Sequence, residues 1–206
     1  CCSNFILGFL RRLNAFMKKY QQKQMNEFGQ EVGISVKLGE ANYFKFNDLL
    51  GVNVNLRCLN AQPISALELA QIWQVVNTEP DPRCWTYLPY DAFDSENNLK
   101  IKLDQLFGFE GSIHYLIEVG QTIVGWVAFL NVRSQSQVVE IGNVYFSHLM
   151  KQSTAATEAI FLLLSESFKR GFRRVEWKCD DLNQPSKRAA LRYGFQFEGV
   201  FRQDRM

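Results

Sequence analysis

The stretch from residue 140 to residue 159 carries the densest set of residues suited to chemistry. It reads Glu140-Ile141-Gly142-Asn143-Val144-Tyr145-Phe146-Ser147, and after three residues Lys151-Gln152-Ser153-Thr154-Ala155-Ala156-Thr157-Glu158-Ala159. Alternating apolar residues give way to small and hydroxyl residues and then to an apolar helical run, the pattern of a strand, a tight turn and a helix start. The first turn of a helix presents N–H groups with no intrahelical acceptor at the positive end of the helix dipole. A phosphate or pyrophosphate suits that end, so the segment predicts an anionic cofactor.

The elements that position this segment follow from periodicity and punctuation. Val52, Val54, Leu56 and Cys58 alternate as a strand, and Ser65-x-x-Glu68 is a capping box for a helix with Leu69, Ile72, Trp73 and Val76 on its apolar face. A loop rich in Pro and aromatic residues spans 80–89, and Asp94 or Ser95 caps a second helix carrying Leu99, Leu103, Leu106 and Phe107. Strands over 113–119 and 122–131 flank Gly120-Gln121 as a hairpin, and a third consecutive strand covers 138–147. A long helix over 154–170 closes at Gly171, a short strand covers 175–178, and Asn183, Pro185 and Ser186 open a helix ending at Gly194. A final strand is expected over 195–202. The succession describes one mixed α/β (α+β) domain with a curved, mostly antiparallel sheet and helices on both faces.

Composition bounds the alternatives. The 206 residues are 47% hydrophobic and 21% charged, enough for one packed domain with an appendage. The net charge of +2 hides an asymmetry, because residues 1–24 hold Arg11, Arg12, Lys18, Lys19 and Lys23 and no acid. The remainder is mildly acidic, which gives no electrostatic footprint for nucleic acid. Five scattered cysteines without a C-x-x-C pair fit neither a disulfide framework nor a zinc site, and with two histidines no metal is expected. A reducing, cytoplasmic setting is the expectation. No apolar run approaches the ~18 residues that span a bilayer.

Residues 1–24 read as a basic amphipathic helix, with Ile6, Phe9, Leu10, Leu13, Phe16, Met17 and Tyr20 at helical spacing. Such a helix suits a membrane surface or a partner. The alternative is an upstream extension foreign to the protein, since Met25 opens a segment resembling a native start. The domain proper is then 25–206.

Several motifs taken together resemble the GNAT-type N-acetyltransferases, closest to the ribosomal-protein N-terminal acetyltransferases. They are residues 85–90 (Trp-Thr-Tyr-Leu-Pro-Tyr), Glu140-Ile141-Gly142, Ala156-Thr157-Glu158-Ala159, residues 173–180, Asn183-x-x-Ser186 and the run from Gly194 to Arg202. The resemblance implies transfer of an acetyl group from acetyl-CoA, as cosubstrate, to a primary amine by direct attack. It implies that the cofactor lies against Val144, Tyr145 and Phe146 through backbone pairing, while the strand after residue 175 splays away. It places the pyrophosphate on Lys151, Gln152, Ser153, Thr154, Ala155 and Ala156, with Thr154 where the family pattern has Gly. It assigns Asn183 and Ser186 to the cofactor side. It also implies a further strand after Gln203, so that a chain stopping at Met206 lacks a central ladder. A Tyr that many relatives use as acid corresponds here to Ala190.

Acetyl transfer from a thioester needs a neutral amine, a held geometry and donors for the developing oxyanion. Glu140, beside the turn, is a base for the amine, or else an ion-pair partner. Ser186 protonates the leaving thiolate or serves at the helix start, and Asn183 positions a carbonyl or caps the same helix. Trp85, Tyr87 and Tyr90 form the wall of an acceptor site or anchor the loop by packing. Glu158 is assigned a structural role and Cys179 a place in the core. The acceptor is a protein N-terminus or a small amine. The competing reading is a non-catalytic acyl-CoA-binding or interaction module, and oligomeric state is left open.

Overall fold

A computed structural model describes residues 23–35, 44–107, 111–151 and 153–202. The amphipathic reading of residues 1–24 lies outside them except for Lys23 and Gln24, and the Gln152 assignment lies outside them altogether. Strands β1 (Lys23–Met25) and β2 (Glu31–Gly33) form a separate antiparallel pair. The main sheet runs β3 (Leu49–Leu50), β4 (Asn55–Cys58), β5 (Ile113–Val119), β6 (Thr122–Arg133), β7 (Val138–Phe146) and β8 (Arg174–Glu176), adjacent in that order. Every pairing is antiparallel except β7 with β8, which is parallel.

Among the described residues four helices cover the sheet: α1 (Ala66–Asn77), α2 (Glu96–Phe107), α3 (Thr154–Lys169) and α4 (Gln184–Arg192). Period-two alternation along the strands divides the interior into two cores. Tyr115, Ile117, Val127, Phe129, Val139 and Ile141 pack with Ala159, Ile160 and Leu163 of α3 and with Tyr193 beside α4. Leu116, Trp126 and Tyr145 point the other way, onto Ile72 and Val76 of α1 and Leu99 and Leu103 of α2. Among the described residues no helix is long and apolar enough to cross a membrane.

Local signals act where they were expected. Ser65 Oγ accepts from the Glu68 N–H while the Glu68 carboxylate accepts from the Ser65 N–H, completing the capping box of α1. Ser95, rather than Asp94, takes the Asn98 N–H at the start of α2. Gly120 turns β5 into β6 at φ 63°.

Three expectations need correction. The strand over 52–58 starts only at Asn55, because Gly51 N–H donates to Val54 C=O and residues 51–54 form the turn joining β3 to β4. Residues 195–202 form no strand. Phe195 N–H closes back on Ala190 C=O at the end of α4, and no described strand runs beside the segment to supply a ladder. Cys179 is exposed rather than packed, because β8 ends three residues before it.

Glu158 shows how α3 is fixed to the sheet. Its buried carboxylate accepts from the Val52 N–H (2.6 Å), the Asn53 N–H (2.9 Å) and Asn53 Nδ2 (2.8 Å), holding the β3–β4 turn. A Cβ on Gly51 would lie 2.6 Å from Val54 O and 2.7 Å from Glu158 Oε1, so the turn closes only around glycine. Glu158→Ala strips two backbone donors of their acceptor and is expected to cost about 2–4 kcal/mol. Thermal unfolding should report that as a fall of roughly 6–10 °C in Tm.

Candidate functional site

The parallel ladder between β7 and β8 has only three rungs: Val138 with Arg174, Val139 with Val175 and Glu140 with Glu176. Past Glu140, β7 continues for six more residues with β6 on one side and no ladder partner on the other among the described residues. A slot with exposed backbone N–H and C=O groups along one wall results. A bulge sharpens it, because the β6–β7 register shifts between Trp126 and Ala128, and Asn143 sits in the left-handed region at φ 48°. Opposite the bulge a Cβ on Gly125 would lie 2.1 Å from Tyr145 O, so a side chain is sterically excluded there.

At the C-terminal end of β7 the chain turns through 147–151 into α3. Ser153 is the N-cap of α3, its Oγ accepting from the Ala156 N–H and donating to Met150 O. The N–H groups of Thr154 and Ala155 donate to no other described residue, which leaves two amides at the positive end of a 16-residue helix. Lys151 stands at this end with its ammonium 2.8 Å from Glu79 Oε1.

Glu79, absent from the sequence reading, organises this turn. Its side chain is 1% exposed, and its Oε2 accepts from the Tyr145 hydroxyl (3.2 Å) and the His148 N–H (3.0 Å). One carboxylate thus ties the end of α1 to β7 and to the turn before α3. Burial and the adjacent Glu79 push the Tyr145 phenol well above its ordinary range, so it remains a donor. No periodicity or motif marks Glu79, because a glutamate following a helix reads as a solvated charge.

Glu140 is 2% exposed and points to the α1/α2 face. Its Oε2 accepts from Asn131 Nδ2 (2.8 Å) and faces Lys178 Nζ (3.0 Å), which also lies 3.6 Å from Glu176 Oε2. Oε1 is different: it carries no hydrogen bond among the described residues, and it would sit 3.5 Å from a Cβ on Gly142, the first rung without a β8 partner on that face. The ion-pair alternative is therefore realised, with lysine as partner, and it leaves Oε1 over the Gly142 position on the same face of β7.

On the far wall, Asn183 caps α4 by accepting the Ser186 N–H, so the cap is Asn183 and not Ser186. Ser186 Oγ accepts from Trp177 Nε1 (2.9 Å), just past the end of β8. Ala190, buried on α4, supplies no acid. The structure separates the three aromatic wall candidates. Trp85 and Tyr90 are buried and turned inward, Trp85 stacking on Tyr145 (centroids 4.7 Å) and meeting Phe93 edge-on, because a Pro-initiated 3-10 turn over residues 82–85 drives the ring into the α1/α2 core. Tyr87 alone of the three is exposed, and its hydroxyl donates to Leu182 O across the slot (3.3 Å). No cluster of three or more His, Cys, Asp or Glu suited to a metal occurs among the described residues.

Residues 59–196 match the family model described as an acetyltransferase (GNAT) domain. No curated protein matches the sequence. Among solved structures, the chain is similar to a GNAT-family protein from Chromobacterium violaceum, at 30% identity over 84% of this chain and 88% of that one, TM-score 0.75. It shares its fold with the acetyl transferase from Salmonella typhimurium that modifies the N-terminal serine of ribosomal protein L7/L12 (19% identity, 77% and 90% covered, TM-score 0.62). It also shares it with the microcin C7 self-immunity acetyltransferase MccE, solved with acetyl-CoA and AMP (20% identity, 76% and 86% covered, TM-score 0.60).

The bulge is held by a hydrogen-bond relay from Trp126 Nε1 to the Tyr90 hydroxyl (2.9 Å) and from that hydroxyl to Asn143 Oδ1 (3.1 Å). Tyr90→Phe keeps the ring packing but leaves the indole N–H without an acceptor and Asn143 without its donor. The expected loss is about 1–2 kcal/mol of stability. Chemical denaturation of the two proteins measures it, and an unchanged midpoint would show that the relay does not hold the bulge.

Proposed function

This chain belongs to the GNAT acetyltransferase family, and on that premise we propose that it transfers an acetyl group from acetyl-CoA to a primary amine by direct attack. The observation that carries the reading is the pairing of an open β7 edge with the amides of Thr154 and Ala155 at the start of α3. The amides and Lys151 suit a pyrophosphate, and the edge of residues 144–146 suits an extended arm with its own amide groups. The acceptor is a protein N-terminus or a small amine.

In this reading Glu140 takes the proton of the attacking amine through Oε1. Asn131 and Lys178 keep Oε2 fixed, so the carboxylate need not reorient during the reaction. An α-amino group, with pKa near ~8, is partly neutral at physiological pH and asks less of a base than a lysine near ~10.4. Ser186 is the proposed donor to the departing thiolate, since its oxygen accepts from Trp177 and its own hydrogen is directed elsewhere.

Ala190, standing where many relatives carry the acid, favours a second reading as a non-catalytic CoA-binding module. One assay separates the two: release of free CoA from acetyl-CoA with a panel of small amines and N-terminal peptides. Turnover is expected, with Glu140→Gln lowering kcat/KM by about 10²–10⁴ in protein that circular dichroism shows to be folded at the assay temperature. Saturable CoA binding without turnover of any acceptor would establish the module instead.

A further inference from the structure

Beside Glu140 the surface opens into a groove of about 490 Å³ lined by Gly111, Asn131, Val132, Arg133 and Lys178. Among the described residues its lining carries two cations and no carboxylate. The acids that neutralise those cations lie behind them: Glu140 is buried against Lys178, and the Glu176 side chain, 13% exposed, pairs with both Arg133 and Lys178. Arg133 is half exposed and, among the described residues, makes one hydrogen bond, to Glu176, of the five its guanidinium can donate. Lys178 is more than one-third exposed and keeps a third N–H beyond its two carboxylate partners. The groove therefore presents donors and positive charge to solvent while its negative charge faces the interior.

Two residues of this lining, Asn131 and Lys178, are also the residues that hold Glu140 Oε2. An anion bound on the outer side of Lys178 Nζ, at a charge-assisted distance of about 2.8 Å, would lie within about 6 Å of Glu140. A free amino acid whose amine meets Glu140 can bring its carboxylate into that range, whereas the uncharged carbonyl of a peptide N-terminus brings no charge to pair with Lys178.

We infer that this groove is an acceptor subsite for the carboxylate of a small amino acid, with Arg133 and Lys178 as its anion donors. The inference rests on the acetyl-transfer reading and narrows its acceptor from any primary amine to a free amino acid. The transfer itself forms the new C–N bond and breaks the C–S bond of the thioester; the amine proton leaves to Glu140 and the thiolate departs as CoA. The carboxylate takes no part in the bond changes and serves to seat the amine.

The test compares L-amino acids with their matching amides and with short N-terminal peptides, using CoA release from acetyl-CoA. At least one free acid should exceed its own amide by about tenfold or more in kcat/KM, chiefly through KM. Arg133→Gln should collapse that ratio toward one by raising KM for the acid, and Arg133→Lys should restore part of it, with Tm confirming that both variants fold. Amides or peptides that react as well as the acids would overturn the subsite while leaving acetyl transfer intact. If no amine reacts, the acetyl-transfer reading fails and ligand-induced thermal shifts decide the groove alone. Stabilisation by acids, absent with amides and lost in Arg133→Gln, supports an anion site; equal shifts for acid and amide overturn it.

Discussion

The early end of the ladder between β7 and β8 is the constraint on which the site depends. Two parallel strands that paired along their full length would bury the backbone groups of residues 141–146 in each other, and no slot would exist. The separation comes from features built into both neighbours. Asn143 adds a residue to β7 and turns its edge, a move that Gly125 permits on β6 because no Cβ fits there. On the other side β8 leaves the sheet after Glu176, and Trp177 packs against Tyr193 and Phe195 at the edge of the α3 core while bonding to Ser186. The slot is an outcome of core packing on both faces rather than of a flexible loop.

Three buried carboxylates hold the parts of the molecule that meet at this slot. Glu158 fixes the β3–β4 turn to α3, Glu79 fixes the end of α1 to the turn before α3, and Glu140 binds β7 to Lys178 beyond β8. Burying a carboxylate is costly unless its oxygens are bonded, and Glu158 and Glu79 are bonded on both. Glu140 departs from that rule, with one oxygen doubly engaged and the other bare. An oxygen left without a protein donor is an opening for a ligand donor, which is the physical ground for proposing Glu140 as the base for the amine.

Most of the fold was legible in the residues. The capping box of α1, the Gly120 turn and the alternation of β5, β6 and β7 are local signals, and tertiary contacts reinforced them. The strand-turn-helix at 140–159 was legible for the same reason, since N-cap Ser153 and the small residues after it act within one turn. What escaped were long-range pairings. Glu79 bonds residues 66 to 72 positions away, and Lys178 meets Glu140 only because β8 pairs beside β7. The inward turn of Trp85 was equally hidden, because aromatic residues in a Pro-rich loop carry no sign of which face they join. The 195–202 segment misled in the opposite sense, since its alternation is strand-like but a strand exists only beside a partner.

On the proposed reading, the alternation of β7 also separates the two substrates. Val139, Ile141 and Val144 face the core under α3, whose first turn presents the Thr154 and Ala155 amides, whereas Glu140 and Tyr145 face α1 and α2. An extended cofactor arm lying in the slot edge-on to β7 would leave the α1/α2 face of that strand for the acceptor. The amine would then approach from the side of Glu140 and the cationic groove, and the anionic cofactor would enter at the opposite end of the strand, beside Lys151. Each charged group would sit at the end of β7 where its proposed partner arrives. A one-residue slip of register would carry Glu140 into the apolar core and abolish that division, so the bulge at Asn143, which lets Tyr145 return to the α1/α2 face, shapes the chemistry as much as the slot.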